Sequence, residues 1–191
     1  MGSIAPAGVA AVPANNEAMA HKQPEVWMRG SIPGYPALLQ PVAHSLLQSL
    51  EEVQDRLAGV SAEHIWARPD GAASAGFHVR HAAGSLDRLL TYARGEQLSA
   101  AQLAFLKTEG EPDTDPDAAA RLAGDFARGI ERALAQIAAT PEDALLQPRG
   151  VGRAQLPSTV LGLLFHAAEH TQRHIGQMVT TLKVVQAERP T

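Results

Sequence analysis

Phe165-His166-Ala167-Ala168-Glu169-His170-Thr171-Gln172-Arg173-His174-Ile175-Gly176-Gln177 lies inside an apolar-periodic segment running from about Ser158 to Gln186. In a helix, residues four apart stack on one face, so His170 and His174 project side by side, with His166 one turn before them. At 100° per residue, Leu163, Ala167, His170, His174, Gln177 and Thr181 share one narrow sector. That is the stripe a bundle helix turns toward its partners. Imidazoles on an inward stripe need polar partners, because a buried polar group left unpaired is costly. A metal ion is one such partner, and imidazoles at i, i+4 suit it. An HxxxH pair is common on ordinary helices, so the metal reading requires a third ligand from elsewhere in the chain.

The segment SAGFHVRHAAGSLDRLLTYARG supplies it. Ser74 is the expected N-cap and Gly95 the stop after Arg94, which makes this helix two. Ser74, His78, His81, Ser85 and Tyr92 share a sector flanked by Phe77 and Leu89. His81 is the preferred third ligand because it sits deeper in the helix. His78, in the first turn, is the alternative, and whichever is not the ligand is expected to hydrogen-bond to one.

Two more helices complete the pattern. Leu39, Val42, Leu46, Leu50, Val53 and Leu57 recur at helical spacing between about Pro36 and Ala58, with Pro41 in the first turn, where its missing N–H does no harm. Leu122, Phe126, Ile130, Leu134 and Ile137 do the same between about Asp117 and Ala139. His44 falls off the first stripe and is expected at the surface or in a second interface. Trp66 is expected to cap one end of the core, given its large apolar area. Leu98 to Leu106 predicts a short extra helix. The acidic, proline-punctuated run Glu109-Gly110-Glu111-Pro112-Asp113-Thr114-Asp115-Pro116 predicts a solvated loop, and it lacks calcium-loop spacing. Residues 140–157 predict a long connection, in which Arg149 and Arg153 are candidates to meet an anionic substrate. Ser158 is the expected cap of helix four. The fold class is therefore all-α, a four-helix bundle with short extra helices in the connections. The bundle spans residues 31–191 behind a flexible Ala-, Pro- and Gly-rich tail at 1–30.

Composition narrows the chemistry. The 191 residues contain no cysteine, which excludes disulfides, thiolate ligands and a cysteine nucleophile, so any thiol must come from outside. A hydrophobic content of 45% is enough for a single core without staples. A net charge of −4 gives no footing for nucleic acid. No apolar run approaches the roughly 20 residues a membrane helix needs. The tail lacks a basic start followed by a compact apolar core, so no signal peptide is read and a cytoplasmic location is the default expectation. There is no glycine-rich phosphate loop and no nucleophile elbow.

A histidine on helix two, and His170-Thr171-Gln172-Arg173-His174-Ile175-Gly176-Gln177 on helix four, together resemble the DinB/YfiT-like superfamily of metalloenzymes. Phe77-His78-Val79-Arg80-His81 and Trp66-Ala67-Arg68-Pro69 also fit that pattern, and the likeness covers roughly residues 30 to 187. It implies a bundle whose metal is held by one histidine of helix two and two of helix four, by position His81, His170 and His174. It further implies frequent homodimerisation and, as in its thiol-dependent S-transferases and maleylpyruvate isomerase, a low-molecular-weight thiol as co-substrate.

Three neutral imidazoles suit zinc or nickel and do not suit magnesium or calcium. The expected function is a divalent-metal-dependent enzyme in which activated water or thiol attacks a small electrophilic molecule, as a hydrolase or thiol S-transferase. Gln177, one turn beyond His174, is expected to orient a ligand or the nucleophile. Glu169 points off the metal face and is not the expected base. The alternatives are a non-catalytic metal-binding or stress-response dimeric bundle, and a plain bundle whose histidines are satisfied core residues.

Overall fold

The structure, a computed structural model, describes residues 23–187. Its helices are α1 (Gln40–Leu57), α2 (Ala62–Trp66), α3 (Ala75–Ala93), α4 (Ala100–Thr108), α5 (Ala118–Ala138) and α6 (Val160–Ala187). A short antiparallel hairpin, β1 (Pro148–Val151) and β2 (Leu156–Thr159), lies between α5 and α6. The long helices α1, α3, α5 and α6 form the bundle. α3 packs between α5 and α6, and α1 closes the ring against the same two.

Each long helix forms because its apolar residues recur on one face and its ends carry stop signals. In α1, Val42, Leu46, Val53 and Leu57 are buried. In α5, Leu122, Phe126, Ile130 and Ile137 are buried, Phe126, Ile130 and Ile137 completely. The Ser74 hydroxyl accepts the Phe77 N–H at 3.1 Å and starts α3. Gly95, at φ +80°, ends that helix in the left-handed region that glycine enters without steric cost. Trp66 is buried and lies flat on Gly76, where an added Cβ would meet the indole at 2.9 Å. The Arg80 guanidinium covers the ring at 4.4 Å from its centroid.

The structure departs from the sequence expectations at three places. Helix four begins at Val160, and its cap is Thr159, whose hydroxyl accepts the Gly162 N–H at 3.0 Å. Ser158 instead pairs with Arg149 in the hairpin. Part of the expected tail is packed. Val26 is buried and its N–H donates to Gln48 at 3.0 Å, while Arg29 clasps both oxygens of Glu51 at 2.6 and 2.8 Å. His44 holds the carbonyl of Gly30 at 2.9 Å, so residues 23–30 seat on α1 and the rest of the tail, 1–22, lies outside the described residues. Arg149 is tied elsewhere, its Nε donating to the Ala93 carbonyl at the end of α3 at 2.8 Å. That point lies about 18 Å along the helix from His81, at 1.5 Å per residue. Arg153, in the hairpin turn, is exposed.

Candidate metal centre

α3 and α6 share the most extensive contact in the bundle, and the histidines sit on that seam. Helical spacing does the local work. His170 and His174 stand one turn apart on α6, with ring centroids 4.6 Å apart. His81 reaches across from α3 to within 4.5 Å of the His174 ring and 5.3 Å of the His170 ring. One ligand-capable nitrogen of each of the three lies within 4.8 Å of the other two. His81 Nε2 and His170 Nε2 are 3.1 Å apart. Two imidazole nitrogens on one tetrahedral ion, with bonds of about 2.0–2.1 Å, would stand about 3.3 Å apart. The pair is therefore already near the spacing such an ion needs.

The three histidines are half-buried. Burial, and secondarily the neighbouring imidazoles, pushes the His174 pKa down to about 4. The same causes lower those of His170 and His78. Near neutral pH these rings keep their lone pairs, which is the state a metal ligand requires. The donor set is three imidazole nitrogens without a carboxylate in the first contact, so it fits a divalent ion that accepts nitrogen ligands and not a hard oxygen-seeking one.

The far side of each ring is held differently. His81 Nδ1 lies 2.7 Å from Glu109 Oε2, and Glu109 Oε1 accepts from Arg88 at 2.7 Å. Phe77 stacks on the His81 ring, with an interplanar angle of 18°. His174 Nδ1 lies 3.1 Å from Nδ1 of His78, which is buried. His170 Nδ1 is buried and has no hydrogen-bond partner among the described residues. His166 stays outside the cluster, 3.5 Å from Glu169, whose carboxylate also pairs with Arg173. Gln177 is exposed one turn beyond His174.

Sequence reading missed Glu109 and Arg88. Glu109 opens the run read as a solvated acidic loop, and for most of that run the reading holds: Glu111 is exposed, and Asp113 and Asp115 pair with Arg121 at the surface. Glu109 itself is 3% exposed. Burial alone would raise its pKa, but the hydrogen bonds from His81 and Arg88, together with the Arg88 charge, hold it below the usual carboxylate range. No local pattern marked it: Leu103, Phe105 and Leu106 of the preceding α4 are exposed, and that helix meets α3 through Phe105 at Gly84 and through Gln102, which donates to Asp87 and Thr91.

A four-helix bundle with three convergent imidazoles on its α3–α6 seam defines a class of helical proteins suited to a divalent ion. The chain belongs to the DinB superfamily, whose family model matches residues 45–178. A crystal structure of a conserved protein from Enterococcus faecalis is similar in fold, with a TM-score of 0.59 at 21% identity. The match covers 78% of this chain and 98% of that one. No curated protein matches the chain. Among the described residues, no helix is long and apolar enough to cross a membrane.

Proposed function

We propose that this chain is a divalent-metal-dependent enzyme of the DinB type, acting on a small electrophilic substrate with water or a low-molecular-weight thiol as nucleophile. The observation that carries the reading is the convergence of His81, His170 and His174, all half-buried, with one ligand-capable nitrogen of each within 4.8 Å of the others. Bound there, zinc or nickel would supply Lewis acidity, lowering the pKa of a water or thiol in its remaining position. His81, His170 and His174 would hold the ion, and their partial exposure would let reactants reach it. Gln177, exposed on the same helical face, would meet the incoming nucleophile or substrate through its amide. The absence of cysteine requires the thiol to be a co-substrate. A homodimer is the expected assembly.

The test is a conjugation assay with a low-molecular-weight thiol and a panel of small electrophiles, run on zinc- and nickel-loaded protein beside His170→Ala/His174→Ala. Metal-dependent thiol consumption or substrate hydrolysis, absent in the double variant, is expected. Full metal loading with no turnover across the panel would favour a metal-binding bundle without catalysis.

A further inference from the structure

We infer that Glu109, anchored by Arg88 and admitted by Gly84, is a positioning residue that fixes His81 in its Nδ1–H form and so aims the Nε2 lone pair at His170 and His174. An ionised carboxylate can only accept, so the 2.7 Å bond at His81 Nδ1 requires the proton to be on that nitrogen. A neutral imidazole has one N–H, and Nε2 is then bare. Nε2 is the atom that faces the cluster, 3.1 Å from His170 Nε2. The inference rests on the metal-centre reading for its purpose, but the proton position belongs to the protein without any ion.

The arrangement is built, not incidental. Glu109 is a buried charge, and a buried charge persists only when paired. Arg88, itself buried on α3, supplies the pairing at Oε1 and leaves Oε2 for His81. The carboxylate comes this close to α3 only because residue 84 lacks a side chain. A Cβ there would clash with Glu109 Oε1 and would lie 2.7 Å from Phe105 and 2.8 Å from the Arg88 guanidinium. Phe105 is on α4, so the short helix that leads into Glu109 is seated by the same glycine. Three α3 positions, His81, Gly84 and Arg88, fall on one helical face and together grip one carboxylate from the following connection.

The near-isosteric variant Glu109→Gln separates positioning from packing. Arg88 can only donate, so it would claim the amide oxygen and turn the NH2 toward His81. His81 Nδ1 must then accept, and its proton moves to Nε2, into the cluster. Adding Arg88→Met frees the amide to turn its oxygen to His81, which restores the original form, while methionine fills the vacated volume.

The experiment is ring 15N–1H correlation NMR on the metal-free full chain at pH 8, with zinc affinity by competition titration. The wild type is expected to carry the His81 proton on Nδ1, Glu109→Gln on Nε2, and the double variant on Nδ1 again. Zinc affinity is expected to fall about 10- to 100-fold in Glu109→Gln and to recover in the double variant. A wild-type proton on Nε2 would overturn the inference, and it needs no variant to fold. So would a Glu109→Gln protein with an unmoved proton and unchanged affinity. Failure of the wild type to bind zinc or nickel at all would instead overturn the metal-centre reading, leaving the proton assignment to stand or fall on its own spectrum.

Discussion

The α6 side and the α3 side of the histidine cluster are held in different ways. On α6, His170 and His174 are placed by helix geometry alone, four residues apart on a helix that ends the chain's bundle. Among the described residues, the far nitrogen of His170 has no partner and that of His174 meets the ring of His78. On α3, His81 is clamped by a charged carboxylate from 28 residues away, which is itself clamped by Arg88. The difference teaches that a rigid scaffold can set spacing, while the direction of a ring and the location of its proton take a second contact from elsewhere in the chain.

Removing a ligand from either side should have the largest effect. His81→Ala and His174→Ala are each expected to weaken zinc binding by at least about a hundredfold, since each discards roughly a third of a binding free energy on the order of 10 kcal/mol. Competition titration checks this. Equal losses would show that the two sides contribute equally once the ion is in place.

Gly84→Ala attacks the α3 side alone. Overpacking against Glu109 and Phe105 is expected to destabilise the fold by about 1–3 kcal/mol in chemical denaturation. Zinc affinity should fall as His81 loses its partner, with the α6 histidines in place.

The two sides also share a pH response. A folded-state His174 pKa of about 4 lies below the ordinary value of 6.5, so the unfolded chain takes up a proton in that interval and the folded one does not. Metal-free protein is therefore expected to lose stability as the pH falls from about 6.5 to 4, and to be insensitive to this group above about 7. His170 and His78 shift in the same direction and should reinforce the loss. Thermal unfolding across that range, compared with His174→Ala, checks the sign.

The smallest effect belongs to Gln177→Ala. Its side chain is exposed, so stability should change by less than about 0.5 kcal/mol and metal content should be intact. An altered KM for the thiol or the electrophile is the expected trace of its role.

How much of this was readable in the sequence follows from the same contrast. The stripes of α1, α3, α5 and α6, the Ser74 cap, the Gly95 stop and the pairing of His170 with His174 come from local patterns that a single segment carries by itself. Periodicity left His78 and His81 both open, and the set of His81 with His170 and His174 came from the family resemblance. The hairpin at 148–159 was not readable, because four-residue strands containing Pro148, Gly150 and Pro157 show no alternation. For the same reason the start of α6 was placed at Ser158 and not at Val160. Glu109 was hidden because its environment is made by α3, and nothing in its own neighbourhood distinguishes it from the exposed acids that follow. Gly84 reads as an ordinary helical glycine until the carboxylate it admits is seen.

The central claim is that three imidazoles from two helices hold one divalent ion. Elemental analysis of tag-free protein, beside His170→Ala/His174→Ala, tests it most directly. Close to one zinc or nickel per chain, lost in the double variant, is the predicted result. A wild type that carries no metal and takes up neither added zinc nor added nickel would contradict it.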